Sequence, residues 1–166
     1  MIPFAATDAA IADELPGAMA WATRRQIVMD TRSIAHRMLR LVLVQPDTNE
    51  KFYLQGTFED YRAHPPLWQW FDASWSSTDA LHLSPQPTRN RPASLGGSMF
   101  INHNGKGLIC APFNRLAYGA HEGPHPDWGS LAQWMTAGEG YVHAVKLGDM
   151  LSSILRDVRL SSGRMQ

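Results

Sequence analysis

The chain has 166 residues, 44 % of them hydrophobic, with 15 basic and 15 acidic side chains and a formal net charge of zero. That length suits one domain over residues 1–166, in which roughly 70 % of the unfolded surface can be buried, and the absence of a basic stripe argues against nucleic acid as a partner. A charged fraction of 18 % is below the usual ~25 %, and such a surface favours association with other proteins.

Residues 1–13 are small and polar and predict a frayed, flexible start. "MIPFAATDAA" has neither the basic start nor the apolar run of a signal peptide. "ELPGAMAWATRRQIVMD" (14–30) predicts a short helix, with Ala18, Trp21, Ala22 and Arg25 at helical spacing and Gly17 weakening its start. "AHRMLRLVLVQ" (35–45) predicts a strand, "PDTNE" a turn, and "KFYLQGTF" (51–58) a second strand, the two strands forming a hairpin. "EDYRAHPP" (59–66) is irregular because of its paired prolines. "LWQWFDASW" (67–75) alternates and predicts a third strand. Residues 83–97 hold three prolines and two glycines and predict a loop. Residues 98–113 read as an apolar start, an Asn-His-Asn-Gly turn and an apolar run into Cys110, and 114–130 as a long irregular loop. The clearest helix is 140–160, whose apolar face is Val145, Met150, Leu151, Ile154, Leu155 and Val158. No stretch approaches the ~20 apolar residues of a membrane helix. The order predicts an α+β fold: an antiparallel meander with helices packed on it.

Cys110 is the one cysteine, so it forms no internal disulfide. The expected compartment is the cytoplasm, where thiols stay reduced. By residue type alone Cys110 suits a buried small hydrophobe, a metal ligand or a nucleophile. His121 and His125, four apart, suggest zinc with Cys110. They fall in a Gly/Pro loop rather than on a helix, and a structural site needs four ligands, so no metal is expected. His121 or His143 would be the partner of Cys110 in a thiol hydrolase. Trp68, Trp70 and Trp75 predict core and sheet packing, with an aromatic partner surface as the other reading. Arg24 and Arg25 read as a solvated helix face.

The segments "FYLQGTF…YRAHPPLWQWF" and "INHNGKGLICAPF", followed by a Trp and a long helix, resemble the core of the ubiquitin-conjugating enzymes over residues 35–158. Phe52 to Phe58, Tyr61, Pro65, Pro66 and Trp70–Phe71 fill the places of that family's Gly-x-Phe strand and proline segment. Gly107-Leu108-Ile109-Cys110 matches its Gly-x-Ile-Cys, and Asn102 stands eight residues before the cysteine. The departures are Phe100-Ile101 in place of His-Pro before the Asn, a tryptophan displaced to Trp128 or Trp134 by an enlarged loop, and no counterpart of the acidic residue that helps deprotonate an incoming lysine. The chain also stops soon after the first helix that follows the cysteine, leaving the family's last two helices unrepresented. This pattern is similar to the divergent bacterial members, found beside ubiquitin-like, activating and deubiquitinase-like proteins in antiviral defence operons.

The resemblance implies the family's fold and an acyltransferase that carries a ubiquitin-like protein as a thioester on Cys110. It implies an activating enzyme that uses the ATP and docks near Arg24 and Arg25, a target protein as acceptor, and no cofactor. It implies a hydrogen-bond donor near the tetrahedral oxyanion or supporting its loop. Asn102 is the candidate for that donor, with Asn104 a two-residue slip away and His103 the alternative donor or proton carrier. An inactive binding module of the same fold is the alternative from another class.

Overall fold

The computed structural model describes residues 4–76, 83, 85–88 and 97–165. Its order is α1 (Phe4–Arg24), β1 (Val28–Asp30), β2 (Met38–Val44), β3 (Lys51–Thr57), β4 (Leu67–Phe71), β5 (Phe100–His103), β6 (Lys106–Ile109) and α2 (Leu147–Leu160). The class is α+β. β1 to β4 form an antiparallel meander in sequence order, and β5–β6 form a separate two-stranded hairpin.

β2, β3 and β4 alternate, because successive side chains point to opposite faces. Leu39, Leu41 and Leu43 of β2, Phe52 and Leu54 of β3, and Trp68 and Trp70 of β4 are buried on one face. They join one cluster with Met150, Leu151, Ile154, Leu155 and Val158 of α2 and with Ile11, Ala18, Trp21 and Ala22 of α1. Each such side chain contributes roughly 1.5–3 kcal/mol on full burial. The outer face carries Arg40, which donates to Gln55 at 2.9 Å and lies over the Trp75 ring at 4.8 Å. Gly56 is a strand glycine with a specific reason. Its register partner is Trp68, and a Cβ there would stand 2.6 Å from the Trp68 ring. The β2–β3 turn is the expected one, with Asn49 at φ 58 and Gln45 Oε1 accepting the Thr48 N–H at 2.6 Å.

The structure differs from the expectations at four places. First, α1 runs from Phe4, so the segment read as a frayed start is helical from that residue on. Thr7, Ile11, Ala18, Trp21 and Ala22 make one buried stripe along it, and that packing carries the helix through Pro16 despite the ~3 kcal/mol a mid-helix proline costs. Second, the end of the expected helix is β1, since Gln26 turns left-handed at φ 55 and residues 28–30 pair with 42–40 of β2. Third, β4 ends at Phe71, where the Asp72 carboxylate accepts the Ser74 N–H at 3.0 Å and turns the chain. Fourth, α2 begins at Leu147, not 140. Its Leu147 N–H is capped from outside by Glu14 of α1 at 2.6 Å, which residue spacing does not reveal. Of the loop expected over 83–97, residues 84 and 89–96 lie outside the described residues. After α2 the chain pairs back, with Thr88 donating to Gly163 at 2.8 Å and Met165 to Gln86 at 2.7 Å.

Candidate active site

The β5–β6 hairpin arises from its turn. Asn104 and Gly105 have φ 52 and 81, the paired left-handed residues of a type I′ turn, which Asn-Gly supplies at little strain. The register is Phe100↔Ile109, Ile101↔Leu108, Asn102↔Gly107 and His103↔Lys106. Beyond the last pair, Cys110 N–H donates to the Met99 carbonyl at 2.6 Å, extending the hairpin by one bond. Ala111 N–H then donates to the Ile109 carbonyl at 3.2 Å. That i→i+2 bond makes Cys110 the central residue of a γ-turn.

The turn decides the exposure of the thiol. Between Gly107 and Tyr118 every residue is buried except Cys110, which is half-buried. The segment after it lies along the free edge of β4. Arg115 N–H donates to the Pro66 carbonyl at 2.9 Å, and the Trp68 N–H is taken by the Asn114 side chain at 2.9 Å. An edge strand left bare exposes unpaired backbone groups, and here the cysteine segment covers them. Tyr118 donates its hydroxyl to the Pro112 carbonyl at 2.9 Å, and burial pushes its pKa up to about 12. On the other side, the buried Asp157 of α2 accepts the Met99 N–H at 2.8 Å and so holds the residue that pairs with Cys110.

Asn102 sits at the tip of the hairpin. Its Oδ1 accepts the Gly105 N–H at 2.9 Å, and its register is three residues from the Met99–Cys110 pair, about 10 Å at 3.3 Å per residue. Strand alternation also places it on the Phe100 face, opposite the row that runs through Leu108 toward Cys110. Asn102 therefore braces the hairpin tip, with its Oδ1 as acceptor, and does not stand beside the sulfur. Asn104 is the left-handed turn residue. His103, on the other face, lines a cavity of about 20 Å³ with Lys106, Leu108, Leu116, His121 and Glu122. Burial and the Arg115 guanidinium lower the His121 pKa from its ordinary imidazole value. Lys106 and Glu122 close the rim with a 3.0 Å ion pair.

The remaining candidates separate. His125 stacks on Trp128 with ring centroids 4.1 Å apart, and His143 Nδ1 lies 3.1 Å from the Ala137 carbonyl. Among the described residues no three His, Cys, Asp or Glu side chains group as a metal would require. Trp68 and Trp70 are core, while Trp75 packs on the outer face against Tyr53 and Phe71. Trp134 is buried and donates to the Arg62 carbonyl at 2.9 Å. Arg24 lines a cleft of about 380 Å³ between α1 and α2, and Arg25 lies over Trp21 at 5.0 Å. Sequence reasoning missed Asn114 and Asp157. An Asn four residues after a cysteine and an Asp in an amphipathic helix carry no signal until the fold buries them.

Comparison of the chain with protein-family models finds no match, and comparisons with curated proteins and with solved structures find none either.

Proposed function

We propose that this protein is a ubiquitin-conjugating-like acyltransferase that carries a ubiquitin-like protein on Cys110. The observation that carries the reading is the exposure pattern around the thiol. A structural cysteine has no reason to be the one solvent-reached residue of an otherwise buried stretch, whereas a nucleophile must be reached by its substrate while its backbone is held. The element order is compatible with it: a helix, a four-stranded meander, a cysteine segment along the sheet edge, then a helix, with the family's last two helices unrepresented. Among the described residues no helix is long and apolar enough to cross a membrane. The reading calls for a reducing compartment such as the cytoplasm, since an oxidised thiol neither accepts nor donates an acyl group.

The chemistry has two balanced steps. The Cys110 thiolate attacks the thioester carbonyl that links the carrier's C-terminus to an activating enzyme, which has spent the ATP. The new carbon–sulfur bond forms and the activating enzyme's thiolate leaves. A target amine then attacks the Cys110 thioester. The carbon–sulfur bond breaks, the amide forms, the Cys110 thiolate departs, and the amine gives its proton to solvent.

The test mixes the protein with the activating enzyme and ubiquitin-like protein encoded beside it, ATP and magnesium, and resolves the products with and without reductant. A shifted band that reductant removes, and that Cys110→Ala lacks while keeping the parent melting temperature, is the expected result. A charged activating enzyme with no such band overturns the acyltransferase reading in favour of a binding module. Neighbouring genes of other kinds would remove the bacterial defence setting but not the chemistry.

A further inference from the structure

Asn114 is fully buried, and three of the four hydrogen bonds its amide can make are filled. Nδ2 donates to the Ile109 carbonyl at 2.8 Å. Oδ1 accepts from the Trp68 N–H at 2.9 Å and from the Leu116 N–H at 3.4 Å. The partners fix which way the amide faces, because a backbone N–H can only donate and a carbonyl can only accept. One side chain thus joins three separate pieces of backbone: the edge of β4, the end of β6 and the loop beyond the cysteine.

Two consequences converge on Cys110. The Ile109 carbonyl is the acceptor of the γ-turn centred on Cys110, so Asn114 grips the same oxygen that closes the turn. With Cys110 N–H on Met99 and Ala111 N–H on Ile109, the two amides nearest the sulfur are both committed, and neither is free to serve an oxyanion. In addition, β5–β6 shares no ladder with the four-stranded sheet. Asn114 is a direct hydrogen-bonded tie between that sheet and the strand leading into the cysteine. A neutral donor-plus-acceptor group is required there. Leucine fills the volume without bonds, and a carboxylate keeps the acceptors but lacks the donor.

We infer that Asn114 is the positioning residue for the Cys110 nucleophile: it sets the γ-turn that presents the thiol and registers that turn against β4. The inference rests on the acyltransferase reading for its catalytic meaning, but its physical content, control of the reactivity of the thiol, is measured without any carrier protein.

The experiment compares the full-length parent with Asn114→Asp, Asn114→Ala and Ile154→Val, the last a destabilised control in the core. The first readout is the rate of Cys110 alkylation by iodoacetamide across pH 6–10, followed by intact mass under native conditions beside the melting temperature. The second is thioester discharge to an amine, separated into kcat and KM. The expected result is a shifted alkylation pH profile in both Asn114 variants and a kcat reduced roughly ten- to a hundredfold, the scale of a nucleophile displaced by about 1 Å. KM is expected to stay unchanged, and Ile154→Val to keep the parent profile. Asn114 variants that melt earlier but retain the parent profile and kcat would sink the inference and leave Asn114 as core packing only. Should neither variant fold, hydrogen exchange on the parent decides. Cys110 and Ala111 amides protected to the level of β4 support the positioned turn, and exchange as fast as at the exposed Gly105 refutes it. A parent that forms no thioester but whose alkylation depends on Asn114 overturns the acyltransferase reading and leaves the positioning of the thiol standing.

Discussion

The four-stranded sheet and the cysteine segment are held by different means. In the sheet, backbone bonds to backbone in continuous register from Met38↔Thr57 to Val44↔Lys51 and from Tyr53↔Phe71 to Thr57↔Leu67. Side chains there fill the core on one face and make a few polar contacts, such as Arg40 to Gln55, on the other. From Ala111 to Tyr118 no ladder exists among the described residues. The segment is held by single bonds: Arg115 N–H to the Pro66 carbonyl, the Asn114 side chain to Trp68, the Arg115 side chain to the Glu59 carbonyl, and Tyr118 back to Pro112 within the segment itself. A ladder tolerates exchange of one side chain for another of similar shape. A segment tied by individual amides and hydroxyls loses its geometry when one of them is lost. Cys110 is therefore carried by a part of the molecule sensitive to single polar substitutions.

That contrast is sharpest where the sheet has its own weak point. Gly56→Ala sets a methyl 2.6 Å from the Trp68 ring, and overpacking of this kind costs about 1–3 kcal/mol. Urea unfolding should show that loss, and a midpoint equal to the parent's would mean the Trp68 ring has room to move. Asp157→Ala strips the Met99 N–H of its acceptor without altering any ladder. A buried donor left alone costs about 1–3 kcal/mol, and hydrogen exchange should quicken at Met99 and Cys110 more than at Leu41. Equal quickening at Leu41 would show that Asp157 supports the whole core rather than the cysteine strand.

Tyr118→Phe should be milder, about 1 kcal/mol at neutral pH for the lost bond to Pro112, with a second signature at high pH. Burial raises the Tyr118 pKa from 10 to about 12. A group whose pKa rises on folding adds stability that is complete below its unfolded pKa and disappears as pH climbs through the folded value. Parent stability should therefore fall between pH 10 and 12, and Tyr118→Phe should flatten that fall. The same steepness in both proteins would exclude Tyr118 as the source. The smallest effect belongs to Lys106→Ala, which breaks an exposed ion pair with Glu122. Its melting temperature should match the parent's, and a clear drop would mean the rim of the His121 cavity supports the hairpin.

Much of the fold was legible because alternation and turn chemistry are local. Leu39, Leu41 and Leu43 announce a strand with one buried face, Asn-Gly announces the type I′ turn at 104–105, and Met150 to Val158 announce the apolar face of α2. The misreadings all involve partners far away in the chain. α1 is helical before residue 14 because its stripe packs on the core. β1 exists because β2 offers it an edge. The start of α2 is set by a carboxylate 133 residues away. Within the site, Cys110 stood out by type and flanking pattern, and Asn102 by its spacing of eight. Which asparagine does what could not be read, because Asn102, Asn104 and Asn114 differ only in what surrounds them.

The sequence by itself determined the α+β class, the strand-turn-strand order and the single cysteine at the end of an apolar run, since each follows from periodicity over a few residues or from composition. Only the tertiary structure decided that Cys110 reaches solvent while its neighbours are buried, that Asn102 supports a hairpin tip about 10 Å along the strand at 3.3 Å per residue, and that Asn114 and Asp157 brace the thiol. Those decisions depend on burial and on hydrogen bonds between residues far apart in the chain, and a buried amide is directed by whichever backbone groups the fold brings to it.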